Sequence, residues 1–169
     1  MVITREIGDR NGEAISLGNL GSVSTSLGQY TQAIEYHEQA LAITREIGDR
    51  NGEAKSLNNL GSAYGSIGDY VKAIDYHEQS LAIQREIGDL GGQAAYGFNL
   101  GKALAKVGRI PDALAACRHA RQLFADIGLD ADVQYCDNVI TQLSTVPAQP
   151  RTKPRNPLAR LWHWFKQCL

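Results

Sequence analysis

The sequence predicts an all-α solenoid, and three observations carry that expectation. The first is a period of forty: Leu20-Gly21 recurs as Leu60-Gly61 and Leu100-Gly101, Gly28 as Gly68 and Gly108, and Ala33 as Ala73 and Ala113. Units of about 20 to 50 residues that each carry an apolar side bury it by stacking on the next copy. The second is helical spacing, found twice per unit. Leu57, Leu60, Tyr64 and Ile67 fall on one stripe, and Tyr70, Ile74, His77, Leu81 and Ile83 or Ile87 mark another. The third is punctuation. Gly68-Asp69 ends the first stripe and opens the second, and Gly48-Asp49 and Gly88-Asp89 separate each unit from the next. Each unit is therefore two antiparallel helices with a short joint.

Small residues sit where those helices have to approach closely. Gly61, Ala73 and Ser80, the last replaced by Ala40 and Ala120 in the other copies, keep their place through the repeat. A glycine inside a helix costs about 1 kcal/mol against alanine, so its threefold occurrence at 21, 61 and 101 calls for a packing reason.

Leu-Gly, an aromatic three residues on, then Gly, Tyr, Ala and a small residue seven further is a pattern that resembles the tetratricopeptide repeat. The resemblance covers residues 2–143. With a forty-residue unit and the words NNLG, YHEQALAI and REIGD, the chain is most similar to the long-unit branch found in Pins-type proteins and large bacterial arrays, and more distantly to kinesin light chains. The resemblance implies a right-handed superhelix of antiparallel helix pairs. It also implies a scaffold or adaptor whose first helices line a concave groove that holds an extended peptide or a partner's helix.

The elements follow in order. Residues 1–10 contain ITREIGD, which ends a second helix at 43–49, so they read as the remnant of a preceding repeat's second helix. Residues 11–49 are the first unit, 50–89 the second and 90–129 the third. Asn-Gly at 11-12 and at 51-52 is expected to mark the joint between units, with Asn11 or Asn51 capping the helix that follows. The second unit keeps most of the first unit's residues, whereas the third keeps the frame and changes the surface: Gly97-Phe98 replaces Leu57-Asn58, Cys117 replaces His77, and Pro111 falls near a helix start, where its missing N–H does least harm. Residues 130–144 give a terminal half-unit, with Val133, Cys136, Val139, Ile140 and Leu143 on one face to cover the third unit. Residues 145–157, with Pro147, Pro150, Pro154 and Pro157, read as an extended basic linker. Residues 158–169 read as an amphipathic aromatic tail helix with Leu158, Leu161, Trp162, Phe165 and Leu169 at helical spacing and Trp164 beside them.

Composition limits what this chain does. At 169 residues and 43% apolar content it suits one soluble domain, with no signal-like start and no apolar run long enough to span a bilayer. Three cysteines without paired or metal-type spacing fit a reducing, cytoplasmic setting. Up to Ser144 there are 12 basic and 18 acidic residues; beyond it there are five basic and none acidic, so an acidic body carries a basic tail and offers no basic face for nucleic acid. No constellation for catalysis stands out, and the chain is read as a non-enzyme without cofactor or metal. GFNLGK at 97–102 lacks the length and the hydroxyl of a phosphate loop. His37 and His77 read as rings packed between helices, Cys136 reads as a core residue, and His119 does not face Cys117 on a helix. Glu35, Glu38 and Glu78 recur on outer faces as solvated surface.

The resemblance assigns the groove to Ile15, Gly18, Asn19, Ser22 and Ser26, to Lys55, Asn58, Asn59, Ser62 and Ser66, and to Ala95, Phe98, Asn99, Lys102 and Lys106. Asn19, Asn59 and Asn99 recur in phase, and an amide that both donates and accepts can hold a peptide main chain whatever its side chains. Lys55, Lys102 and Lys106 favour an acidic peptide or a free carboxylate, with Phe98 adding selectivity. The two-lysine carboxylate clamp known in such arrays is only partly matched, by Lys55 and Asn59. The tail, through Leu161, Trp162, Trp164 and Phe165, has three readings: a cap on the array, a docking segment for another protein, or a peripheral membrane contact. The alternative function follows from it, namely a membrane-associated or self-assembling adaptor, or a fragment of a longer array whose open first end stacks on a second copy.

Overall fold

The computed structural model describes residues 3–145, with side chains described from residue 10 onward. The expected linker and tail helix, with Leu161, Trp162, Trp164 and Phe165, lie outside the described residues. Among the described residues there are seven helices: α1 (Ile3–Ser26), α2 (Tyr30–Glu46), α3 (Arg50–Ser66), α4 (Tyr70–Ile87), α5 (Leu90–Lys106), α6 (Ile110–Asp126) and α7 (Asp130–Ser144). Each packs on the next, and α3 also touches α1 and α5 along one side of the array.

The turns explain the spacing. Glycines with left-handed backbone stand every twenty residues, from Gly28 (φ 75°) to Gly128 (φ 75°). At Gly68 the backbone N–H of Asp69 reaches back to the Tyr64 carbonyl at 3.0 Å, the bond that closes a helix whose next residue is left-handed. The following helix starts at once, because Asp49, Asp69 and Asp89 accept from the backbone N–H groups of Gly52, Lys72 and Gly92. The cap between units is thus Asp49 rather than Asn51, which lies inside α3; the left-handed Gly48 delivers the chain to the cap position two residues early. Pro111 occupies the first turn of α6, where no helical N–H is lost.

Close approach between helices uses the small residues. A methyl at Gly61 would lie 2.7 Å from the His77 ring and one at Gly101 would lie 2.6 Å from Cys117 Sγ, so alanine has no room at either position. Ala33, Ala73 and Ala113 are fully buried in the second helices. Leu41 of α2, Ala54, Leu57 and Leu60 of α3 and Ile83 of α4 form one core cluster, flanked by the stacked rings of Tyr64 and Tyr76 at 5.4 Å. Burying a leucine of this kind stabilises by roughly 1.5–3 kcal/mol.

The two ends of the array differ. At the far end α7 covers the third unit: Cys136, Val133, Val139 and Ile140 pack on Ala94, Phe98, Cys117, Ala120 and Phe124, and Arg121 binds Asp137 through two hydrogen bonds of 2.7 and 3.2 Å. At the near end nothing described covers α1. Leu20 is 48% exposed where its counterpart Leu60 is 0% exposed. The joint expected at Asn11-Gly12 is not formed either, since α1 runs through it as one helix from Ile3. Breaking a helix gives up backbone hydrogen bonds, and that loss is offset only where a helix on the other side of the break is packed, as α2 is on α3.

Candidate functional site

The side shared by the first helices carries two hollows. The first, about 110 Å³, lies between α1 and α3 and is lined by Ile15, Gly18, Asn19, Ser22, Lys55 and Asn59, with Asn11, Ala14, Thr44, Asp49, Gly52 and Ser56 at its edges. The second, about 340 Å³, lies between α3 and α5 and is lined by Ser62, Ser66, Tyr70, His77, Asn99, Lys102 and Lys106, over a floor of Gly61, Gly65, Ala73 and Ala103. Helical phase puts these side chains on one side, because residues three, four and seven apart share a face. The serines point their hydroxyl protons back to the helix: Ser22 donates to the Gly18 carbonyl at 2.9 Å and Ser62 to the Asn58 carbonyl at 3.1 Å, which leaves their lone pairs facing outward.

Of the residues expected to form the groove, Asn19, Ser22, Lys55 and Asn59 meet at the first hollow, and Ser62, Asn99, Lys102 and Lys106 meet at the second. The asparagine ladder is therefore divided between two neighbouring hollows. Asn58 and Phe98 stand elsewhere. Both are buried, at 9% and 5% exposure. Phe98 belongs to the core under α7, where the Tyr135 ring meets it edge-on at 5.3 Å. Asn58 is engaged inside the protein: its Oδ1 accepts from Asn99 Nδ2 at 3.1 Å and lies 3.1 Å from His77 Nδ1. Because an amide oxygen only accepts, His77 carries its proton on Nδ1 in this contact. That three-residue chain was missed by sequence reasoning, although a signal for it exists: residue 18 changes from glycine to asparagine at 58 while histidine stays at 37 and 77.

Electrostatics distinguishes this side from the rest of the body. Residues 1–144 hold four lysines, and three of them, Lys55, Lys102 and Lys106, line the hollows. The fourth, Lys72, reaches Asp69 at 3.6 Å and stands 4.6 Å over the Tyr64 ring. Among the described residues no carboxylate pairs with the three in the hollows. The Lys102 side chain stays exposed overall, yet protein packed about its amine lowers its pKa, with the Cys117 thiol acting weakly the other way; its Nζ sits 5.4 Å from the Phe98 ring centre. Burial, and secondarily the Lys102 charge, lowers His77 to about 4, so the ring is neutral at pH 7. His37 is lowered by burial alone. The arrangement offers amides, hydroxyls and unpaired ammonium groups to a ligand.

Residues 8–86 match the family model of the tetratricopeptide repeat. No curated protein matches the chain at a significant level. Among solved structures, aspartyl phosphate phosphatase F from Bacillus subtilis is similar with a TM-score of 0.75 at 15% identity, over 79% of this chain and 35% of its own. The apo form of RapI is similar at 0.74 and 17% identity, over 80% and 38%. The tetratricopeptide domain of Arabidopsis FLU is similar at 0.61 and 22% identity, over 71% of this chain and 98% of that domain. The chain spans little more than a third of the first two proteins, and at these identities the likeness is one of fold. The match is to the repeat as a class and singles out no branch with long units. Residues 8–86 thus carry the tetratricopeptide repeat, and helix pairs continue beyond them to α7 in a fold like that of solved tetratricopeptide domains, consistent with a protein-interaction scaffold.

Proposed function

We propose that the shared face of α1, α3 and α5 binds an extended acidic segment of a partner protein, ending in or containing carboxylates. The observation that carries this reading is the concentration of unpaired lysines, Lys55, Lys102 and Lys106, on one side of a body with 12 basic and 18 acidic residues. Charge complementarity steers such a segment to the face, and the Asn19, Asn59 and Asn99 amides then satisfy its main chain. The test is selection of a random peptide display library on the chain. Enrichment of Asp- and Glu-rich peptides that fail to bind Lys102→Ala/Lys106→Ala supports the reading; selected peptides that bind the double variant equally well overturn it.

A second reading, assembly of two copies, is favoured by the open face of α1. Leu20 and Val23 are 48% and 56% exposed, and they are in phase with Leu60 and Ala63, which are buried between α3 and its neighbours. It predicts sedimentation that rises with concentration and ceases to do so in Leu20→Glu; no concentration dependence in the unaltered chain overturns it.

A further inference from the structure

The hydrogen-bond chain of Asn58, His77 and Asn99 has counterparts for two of its three members forty residues earlier. His37 stands for His77, and Asn59 stands for Asn99, each forty residues earlier. The rings are posed alike: a methyl at Gly21 would meet His37 Cε1, Nδ1 and Nε2 at 2.5, 2.7 and 2.7 Å, and one at Gly61 would meet the same atoms of His77 at 2.7, 2.8 and 2.9 Å. In both units Cε1 is the ring atom nearest the glycine, and Nδ1 stands beside it. In the second unit it points to Asn58 Oδ1. In the first unit that position is Gly18, where an added Cβ meets nothing within 4 Å. His37 is 1% exposed and its Nδ1 has no hydrogen-bond partner in the protein. Gly18 itself lines the hollow between α1 and α3, together with Asn19, Ser22 and Asn59.

We propose that the space over Gly18 is a subsite for a neutral oxygen acceptor, a side-chain carboxamide or main-chain carbonyl of a bound segment, held by His37 Nδ1 and Asn59 Nδ2 in the place that Asn58 Oδ1 fills one unit later. With its proton on Nδ1, as in His77, the His37 ring would donate alongside the Asn59 amide, and such a pair selects an acceptor and rejects an ammonium group. A neutral ring offers a carboxylate no charge in return for leaving water, so an amide or peptide oxygen fits better. A buried ring nitrogen without a partner is unfavourable, and a ligand that satisfies it gains more there than at the surface. The space over Gly18 thus reads a neutral oxygen, while Lys55 in the same hollow and the lysines of the second read acid. The assignment rests on the first-helix face being the binding face.

The test is long-range ¹H–¹⁵N NMR of the histidine rings in the full chain, titrated with acetamide as the carboxamide probe and with acetate as its charged match. The His37 Nδ1 resonance should move toward that of His77 with acetamide and move less with acetate, and His77 should stay fixed. Gly18→Asn should place His37 Nδ1 at the His77 position without probe and abolish the response, whereas Gly18→Ala, which adds helix propensity but no amide, should keep it. A His37 signal indifferent to acetamide, or unchanged by Gly18→Asn, overturns the subsite. An acidic peptide from the display selection, added to the same samples, separates the two claims. If the peptide binds while acetamide leaves His37 unmoved, only the subsite falls; if acetamide moves His37 while no peptide binds, only the groove reading falls.

Discussion

Residues 3–14 and 43–54 are the same twelve residues, ITREIGDRNGEA, and they take different backbones. At 43–54 the helix α2 ends at Glu46, Gly48 turns left-handed at φ 72°, and Asp49 caps α3, which begins at Arg50. At 3–14 one helix runs straight through. Local propensity is identical by construction, so the difference comes from what surrounds each copy. Around 43–54, Ile43 and Ala54 are buried at 4% and 0% exposure between packed helices. At the open end Leu20 remains at 48%. The turn is thus a product of stacking, and local sequence permits it without enforcing it.

The largest effect that sharpens this comparison comes from the paired leucines. Leu60→Ala should cost roughly 2–5 kcal/mol by removing a buried side chain, while Leu20→Ala should cost below about 1 kcal/mol; urea unfolding midpoints of the two variants measure the gap. Equal losses would mean that the α1 face is covered.

The paired histidines extend the comparison to pH. The folded pKa of His77, about 4, lies below the ordinary 6.5, so the unfolded chain takes up the proton first as pH falls. The stability His77 contributes is complete above about pH 6.5 and is lost as pH drops toward 4, on the order of 3 kcal/mol for this ring, with His37 adding a loss of the same sign. Urea midpoints at pH 7.5 and 4.5 should differ accordingly, and His77→Cys, which copies the residue at 117, should flatten much of the difference.

Smaller but opposite in sign are the paired glycines. Gly48→Ala should destabilise by about 1–2 kcal/mol, because alanine resists a positive φ. Gly8→Ala, inside α1, should stabilise by up to about 1 kcal/mol. Thermal midpoints that move in the same direction would contradict the two-backbone account. The smallest effect is at the caps: Asp49→Ala should cost about 1 kcal/mol through loss of its bond to the Gly52 N–H, and Asp9→Ala, where no helix begins, should cost little.

The same comparison explains what could be read from sequence. The period, the helix pairs, the glycines that end the helices and the close approach at Gly61 and Gly101 were legible, because each rests on residues recurring in phase. The straight α1 was not, since residues 3–14 spell the same words as a stretch that does turn. Asn11 and Asn51 were natural cap candidates, yet Gly48 moved the cap to Asp49. At the site, phase alone placed Asn58 and Phe98 in the groove along with their neighbours. The structure commits Asn58 to His77 and Asn99, and α7 draws Phe98 into its own interface. Both outcomes depend on which side chains stand opposite, which a one-dimensional repeat does not specify.

The claim on which the functional account stands is that the two hollows act as one surface for one bound segment. Isothermal titration of a display-selected acidic peptide against Lys55→Ala, in the first hollow, and Lys106→Ala, in the second, tests it most directly. The account predicts weaker binding in both variants, each by severalfold; affinity unchanged in both would contradict it.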